Sequence, residues 1–364
     1  MRFSISYIFL FFTFLIFNLQ ASAFLRFDRI ENEKDTVIQK DTLTITGVGD
    51  IMMGTNFPSE KYLHPSGCKA FFNEVGDILL NGDVLVGNLE GCLSDNANLV
   101  KRCKDTTKCY AFRMPLAYAN CLKEKGFDFL SIANNHSHDF GREGISHTKG
   151  ILDSLGIKYA GTPRNSYSLK KQNGKVIGFC AFAPNRGTVS ITDYKKAEEI
   201  VKYLEDTADI VVVSFHGGAE GSDYRRVTKE TEYFYGENRG NVHKFAHHVV
   251  DAGADVVFGH GPHVTRAIEL YNNRLICYSL GNFITYGRFN LNGPNGIAPV
   301  IKTHLSDDGK FLFGEIIPVK QYYNGKVVID PMKRAIKEIS ELTRLDFPNV
   351  GITITENGII RKKE

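Results

Sequence analysis

Five apolar, strand-like segments of the chain are each followed by side chains that can bind a metal or transfer a proton. These side chains belong to Asp50, Glu90, Asn135, His136, Asp139, His216, His260 and His263. Their carboxylate, amide and imidazole groups supply oxygen and nitrogen but no thiolate, a mixture that suits Mn²⁺, Fe or Zn²⁺. The pattern therefore predicts a site for a divalent metal and does not distinguish among these three.

Each residue of this set also has an ordinary structural explanation when it is taken alone. A histidine after a strand is often hydrogen-bonded within the fold, and an aspartate there commonly caps a helix. Asn135 and His136 also fit a simple turn. The whole set favours a metal site, because residues with separate structural roles have no reason to gather at successive strand ends.

The elements that must position these groups alternate along the chain. Apolar runs predict strands at 43–48, 84–86, 129–133, 175–182, 210–214, 255–258 and 275–278. Amphipathic segments predict helices at 69–80, 115–125, 144–155, 194–205 and 241–252. The alternation predicts an α/β fold with a largely parallel core, whose strands present their carboxyl ends, and the candidate groups, at one edge. From about residue 290 we expect strands that finish a second sheet or form an appendage.

The N-terminus has the pattern of an export signal. Arg2 precedes an apolar run at 7–17, and the small residues Ala21, Ser22 and Ala23 follow it. This pattern predicts a signal peptide at 1–23 and an exported protein, with a charged, aperiodic linker at 24–41. The run is short for a bilayer span, which needs about 20 residues. An uncleaved anchor is the alternative, and contact with a membrane is expected only in that case.

Charge and cysteine content add two expectations. The 44 Lys and Arg residues nearly balance 41 Asp and Glu, without a basic cluster, so we expect no nucleic-acid partner. An oxidising compartment favours a disulfide between Cys103 and Cys109, with Cys92 as an alternative partner for either. Cys180 and Cys277 lie in apolar runs and are expected to be buried in strands.

Six segments carry a family resemblance: GVGDIMMG, GNLEG, SIANNHSHDFG, SFHGGAEG, VVFGHGPHV and YSLGNF. They resemble, in order, the successive blocks of the poly-γ-glutamate capsule protein (CapA-like) family. That family is similar to the calcineurin-like metallophosphatases, so the resemblance implies a four-layer α/β/β/α sandwich around a two-metal centre. We place this domain at 42–300 and expect 301–364 to be a strand-rich segment that completes or caps it.

The same blocks imply roles for individual residues. Metal ligands are implied at Asp50, Glu90, Asn135, His216, His260 and His263. The resemblance also implies that His136 acts as a general acid and that Asp139 orients it.

This sequence departs from the metallophosphatase pattern at three positions. Met52 stands where the first block has a histidine, Glu90 stands where the bridging carboxylate is usually an aspartate, and the final pair is spaced His-x-x-His. One metal position therefore lacks a nitrogen ligand, and one or two ions are expected. We expect the subsite that contains Asn135, His216 and His260 to be the better formed, and Asp50 and His263 to mark the poorer one.

Two further features have a structural interpretation as well as a functional one. His243 and His247 have the i, i+4 spacing of metal ligands. Their predicted helix has no acidic partner in register, so we interpret them as part of an exposed or half-buried face. Glu220 is either an acid that orients a histidine or a surface-loop acid, and the sequence leaves both interpretations open.

The resemblance implies two functions of different classes. In the first, an exported metal-dependent hydrolase acts on a phosphoester or an anionic polymer, with the capsule synthesis machinery as a partner. In the second, a non-catalytic envelope component supports polymer synthesis or export, and its metal is structural or binds polymer carboxylates. A third alternative is that the organism makes no such capsule and the resemblance reflects ancestry alone.

Overall fold

Apolar runs form the strands of this protein, and the amphipathic segments between them form its helices. The computed structural model describes residues 42–102 and 110–363. Its strands, in chain order, are β1 (Leu43–Met52), β2 (Gly54–Thr55), β3 (Tyr62–Leu63), β4 (Val84–Leu89), β5 (Cys92–Leu93), β6 (Arg113–Met114), β7 (Phe129–Ser131), β8 (Lys158–Ala160), β9 (Tyr167–Gln172), β10 (Lys175–Phe182), β11 (Ile210–His216), β12 (Glu232–Phe234), β13 (Glu237–Gly240), β14 (Val256–His260), β15 (Ile268–Tyr271), β16 (Arg274–Cys277), β17 (Asn282–Thr285), β18 (Ile297–Leu305), β19 (Phe311–Gln321), β20 (Val327–Ile329), β21 (Ile352–Ile354) and β22 (Ile359–Lys362). Its α-helices are α1 (Gly76–Leu80), α2 (Tyr118–Glu124), α3 (Gly141–Leu155), α4 (Tyr194–Thr207), α5 (Val242–Asp251) and α6 (Arg334–Asp346).

Two large sheets contain most of these strands. The first has the order β21-β22-β19-β18-β1-β4-β7-β8, with β17 beside β1 and β20 beside β19. The second has the order β15-β16-β14-β11-β10-β9. Strands β1, β4, β7 and β8 are parallel, as are β10, β11, β14 and β16. The carboxyl ends of each parallel set therefore lie at one edge of its sheet.

The two sheets pack face to face, and helices cover their outer faces. Alternate side chains point to opposite faces of a strand. Ile45 and Val86 of the first sheet share an apolar core with Phe179 and Val212 of the second. On the outer faces, α1, α2 and α3 pack on the first sheet, and α4 and α5 pack on the second. This arrangement confirms the expected four-layer α/β/β/α sandwich.

The predicted strands are confirmed, but several extend further than the sequence indicates. Strand β1 continues through Asp50 to Met52, because β17 pairs with it there. Strand β11 likewise continues to His216, opposite His260 at the end of β14. The site residues therefore lie at the ends of the strands as well as in the loops that follow them.

One helix prediction is wrong and one helix is missed. The helix expected at 69–80 is divided into a 3₁₀ helix, Cys68–Phe72, and the short α1. Residues 73–75 separate the two, and α1 begins at Gly76, a poor helix former. The sequence analysis does not predict α6, although its apolar residues Ile336, Ile339 and Leu342 are buried.

The chain after residue 290 joins the first sheet, because β18 pairs with β1 and β19 pairs with β18. It is therefore not an appendage, and residues from Leu43 onward form one compact unit. The expected signal peptide and linker, at 1–41, lie outside the described residues. Within 42–102 and 110–363, none of the helices combines the length and apolarity needed to cross a membrane.

A disulfide that the sequence analysis misses joins the 3₁₀ helix to α2. Cys68 and Cys121 are bonded across a sequence separation of 53 residues. Cys180 and Cys277 are buried and free, as expected for strand residues, and Cys92 is also buried and free. Cys92 is therefore wrong as the alternative disulfide partner. The predicted pair Cys103 and Cys109 lies outside the described residues.

Replacing both Cys68 and Cys121 by serine is expected to lower the free energy of unfolding by about 2–4 kcal/mol, because the bond closes a long loop in the unfolded chain. Urea unfolding of both proteins, without reductant, measures the difference. With dithiothreitol the two proteins should unfold at nearly the same urea concentration. Full alkylation of Cys68 and Cys121 after unfolding without reductant would contradict the bond.

Candidate metal centre

Parallel strand ends from both sheets bring the candidate side chains together. Asp50 lies in β1, Glu90 follows β4, and His216 ends β11. A Cβ at Gly49 would lie 2.0 Å from the carbonyl oxygen of Gly281, so glycine is required where β1 approaches this turn. The N–H of Asp50 donates to the same oxygen at 2.8 Å, which fixes the position of its carboxylate.

Asp50 forms one half of the site. Its carboxylate is fully buried, and His263 Nδ1 lies 3.0 Å from Oδ2. His260 Nδ1 lies 3.4 Å from Oδ1, and Asn88 Nδ2 donates to Oδ1 at 2.8 Å. Burial by itself raises the pKa of Asp50, but the interactions with His260 and His263 outweigh it and hold that pKa well below its usual range. Asp50 is therefore ionised at neutral pH.

Glu90 forms the other half. Its Oε1 lies 3.4 Å from His263 Nε2, 3.9 Å from His216 Nε2 and 4.0 Å from His136 Nε2. Neither carboxylate oxygen forms a hydrogen bond within the described part of the chain. Burial raises the pKa of Glu90, against the opposing effect of His263. A buried carboxylate without donors is costly unless a cation compensates it.

His216 and His260 are fully buried, and their ring nitrogens form no well-oriented hydrogen bond among the described residues. The buried Oδ1 of Asn135 likewise forms no hydrogen bond among the described residues. Buried polar atoms in proteins nearly always have partners. These unpaired atoms are also the types that bind a divalent metal. The residues present therefore fit the ion that the sequence predicts, while its binding stays a prediction.

His136 lies at the margin of this group. Its Nδ1 is 2.7 Å from Asp139 Oδ2, which leaves Nε2 directed toward Glu90. Lys101 Nζ lies 3.0 Å from Asp139 Oδ1, and the backbone N–H of Phe112 donates to Oδ2 at 3.1 Å. Burial lowers the pKa of His136, while Asp139 acts in the opposite direction. The histidine is therefore held in one orientation by a carboxylate that is itself fixed.

The position of Asn135 depends on contacts with Glu220 and Arg239. Its Nδ2 donates to Glu220 Oε1 at 3.3 Å. The guanidinium of Arg239, only 1% exposed, lies 2.9 Å from the same oxygen. Of the two interpretations left open for Glu220, the contacts favour a positioning role, and its partner is an amide where a histidine was considered.

Several polar residues around the site have no assigned role in the sequence analysis. Asn88 and Asn282 stand inside the GNLEG and YSLGNF blocks, so their place between glycine and an apolar run is a usable signal. Asn282 Oδ1 lies 3.1 Å from His263 Nδ1. Lys101 and Arg239 have no comparable signal, because they reach the site only through tertiary packing.

Asp50, Glu90 and His263 form one group of potential ligands, whose ligand atoms all lie within 4.8 Å of one another. The sequence analysis expects the other subsite, with Asn135, His216 and His260, to be the better formed. The relative affinity of the two subsites stays a prediction.

The fold and the strand-end group together define a four-layer α/β/β/α sandwich protein with a candidate metal centre of oxygen and nitrogen ligands at the ends of its strands. Residues 44–286 match the family model described as bacterial capsule synthesis protein PGA_cap. The chain belongs to this family.

Named relatives agree with this assignment. The chain is 29% identical over 313 residues to the PGA biosynthesis protein CapA of Bacillus subtilis, covering 82% of this chain and 76% of the relative. It is 28% identical over 302 residues to the capsule biosynthesis protein CapA of Bacillus anthracis, covering 77% and 68%. A solved structure, the calcineurin-like phosphoesterase YfkN from Bacillus subtilis, aligns at 14% identity and a TM-score of 0.40, covering 80% of this chain and 89% of its own.

Proposed function

We propose that this protein is an exported, metal-dependent hydrolase of the phosphoester type that acts in poly-γ-glutamate capsule biosynthesis. The observation that carries the proposal is the set of buried ligand atoms on Glu90, His216 and His260 that form no well-oriented hydrogen bond among the described residues. Membership of the capsule synthesis family supports the biological setting. The substrate class that follows is a phosphoester or an anionic polymer.

The ion would be held by Asp50, Glu90, Asn135, His216, His260 and His263. A divalent metal bound there polarises a phosphoryl or acyl oxygen and lowers the pKa of a bound water. The chain itself supplies the proton for the leaving group. With Nδ1 of His136 held by Asp139, only the imidazolium form carries a proton on Nε2; this form would deliver that proton to the leaving oxygen and become the neutral ring.

Aromatic side chains limit access of water to this region. The ring of Phe112 lies 4.2 Å from that of His136 and stacks at 5.1 Å on Phe289, whose ring lies 5.5 Å from His263. This wall covers both the general acid and one candidate ligand. Exclusion of water strengthens the electrostatic interactions of charged groups behind it.

The burial of Met52 favours a second function. Met52, at the position where the metallophosphatase pattern has a histidine, is fully buried in the apolar core on the helix side of the first sheet. It offers no nitrogen donor to the site. In this second function the protein is a non-catalytic envelope component whose metal is structural or binds polymer carboxylates.

Elemental analysis and a phosphodiesterase assay separate the two functions. The purified protein is expected to contain one or two equivalents of Mn, Fe or Zn, and to hydrolyse bis(p-nitrophenyl) phosphate when supplied with that metal. Bound metal without turnover of this compound or of poly-γ-glutamate would support the non-catalytic function. Protein that binds none of these metals would contradict both.

Export is expected to remove the first 23 residues. Mature protein recovered outside the cytoplasm should begin near Phe24, because Ala21, Ser22 and Ala23 form the expected cleavage site. N-terminal sequencing of the extracytoplasmic and membrane fractions measures this. An intact apolar segment in the membrane fraction would support the anchored form, and full-length protein confined to the cytosol would contradict export.

A further inference from the structure

Two histidines of α5 and one glutamate of β15 form a second group of potential metal ligands. His243 and His247 lie one helical turn apart, with ring centroids separated by 4.1 Å. Glu269 Oε2 lies 2.9 Å from His247 Nε2. One ligand atom from each residue falls within 4.8 Å of the other two. The acid of α5 itself, Asp251, accepts hydrogen bonds from Tyr271 and Asn272, so the acidic partner of the two histidines comes from the neighbouring strand.

The carboxylate of Glu269 is held in place by a buried tyrosine. The hydroxyl of Tyr278 donates to Glu269 Oε2 at 2.6 Å, and the Tyr278 ring is fully buried. The ring of His247 stacks on that of Tyr271 at 3.7 Å. Such contacts orient a ligand before an ion arrives, which is the role that outer partners have in known metal sites.

His243 takes no part in the ion pair between His247 and Glu269. His247 and Glu269 satisfy one another, whereas His243 forms no hydrogen bond within the described residues. Its ring lies parallel to those of Tyr278 and Phe347, with interplanar angles of 11° and 14°. Aromatic packing is therefore the competing explanation for its position.

We propose that His243, His247 and Glu269 bind a zinc ion that links α5 to the edge of the second sheet. Zinc with bonds of about 2.0 Å in tetrahedral geometry requires ligand atoms roughly 3.3 Å apart, close to the separation of the His247 and Glu269 atoms. Two imidazoles and one carboxylate leave a fourth position for water or another ligand. The site shares no residue with the strand-end centre and is independent of the proposed function.

Zinc stoichiometry tests this proposal. Full-length protein is stripped with a chelator and then titrated with Zn²⁺ against a chromophoric competitor. His243→Ala and Glu269→Gln are each expected to bind one zinc equivalent fewer than the unmodified protein. Tyr278→Phe, which removes only the hydroxyl, is expected to weaken zinc binding at this site by about 10–100-fold.

His248→Ala is the matched control. His248 lies on the same helix, but its Nε2 is 2.9 Å from the carbonyl oxygen of Tyr194, away from the proposed ligands. This variant should bind as much zinc as the unmodified protein. Circular dichroism establishes that each variant is folded, and Glu269→Gln, which preserves size, replaces His243→Ala if the latter misfolds.

The outcomes are separable from those of the strand-end centre. Asp50→Asn should lose zinc at that centre and retain the equivalent held by His243. If Glu269→Gln and the unmodified protein bind equal amounts of zinc, or if His248→Ala loses as much as His243→Ala, the proposal is overturned. Those results would leave aromatic packing as the explanation for His243.

Discussion

Replacing Asp50 by asparagine is expected to remove metal from the strand-end centre and to lower phosphodiester hydrolysis by about a thousandfold or more, because the metal supplies several kcal/mol of transition-state stabilisation. Asparagine preserves the size of the side chain but carries no negative charge. His260 and His263 both face this carboxylate, so the loss of charge affects two further candidate ligands. Elemental analysis and kcat/KM measure the two effects.

Asp83→Asn is a suitable control for this variant. Asp83 directly precedes β4 and accepts a hydrogen bond from the N–H of Thr44, at the opposite end of the same strands. Its substitution should leave metal content and hydrolysis near those of the unmodified protein. Asp50→Asn protein that is folded and retains full metal content would show that this carboxylate is not a ligand.

Replacing His136 by alanine is expected to lower kcat by about 10²–10⁴-fold while metal content is preserved. The reason is that Nε2 of His136 is positioned to donate a proton, while Asp139 holds Nδ1 at 2.7 Å. General acid catalysis matters most for a poor leaving group. The loss should therefore be larger for an alkyl phosphodiester than for one that releases p-nitrophenolate.

The neighbouring His138 provides the comparison. His138 is half-buried in the same turn and packs against Gly187, away from Glu90. His138→Ala should retain both metal and activity. An equal loss of kcat for good and poor leaving groups in His136→Ala would contradict its role as general acid, although the metal centre would still stand.

Much of this protein is predictable from local sequence pattern. The alternation of Val- and Ile-rich runs with amphipathic segments identifies seven of the strands of the two large sheets, because side-chain period is a local property. It also predicts that Asp50, Glu90 and His216 gather at one edge, because parallel strands end together. The metal-ligand roles of these residues remain predictions that the geometry fits.

Other features depend on contacts between distant parts of the chain. The sequence cannot pair Cys68 with Cys121, because any of several cysteines satisfies the same composition. It does not place Arg239 beside Glu220, which in turn holds Asn135. Helix α6 is a different case, because its buried residues Ile336, Ile339 and Leu342 recur at a helical spacing that the local pattern contains and the sequence analysis misses.

The two histidines of α5 show most clearly which features depend on local sequence and which depend on tertiary packing. Their i, i+4 spacing is visible in the sequence and, without a neighbouring strand to complete a ligand set, is interpreted only as a half-buried face. Glu269 comes from β15, and packing of the helix on the second sheet brings it to 2.9 Å from His247. Spacing along one helix is determined by its own period of 3.6 residues. Which strand completes the group is decided by the tertiary structure, because that choice depends on how separate elements pack.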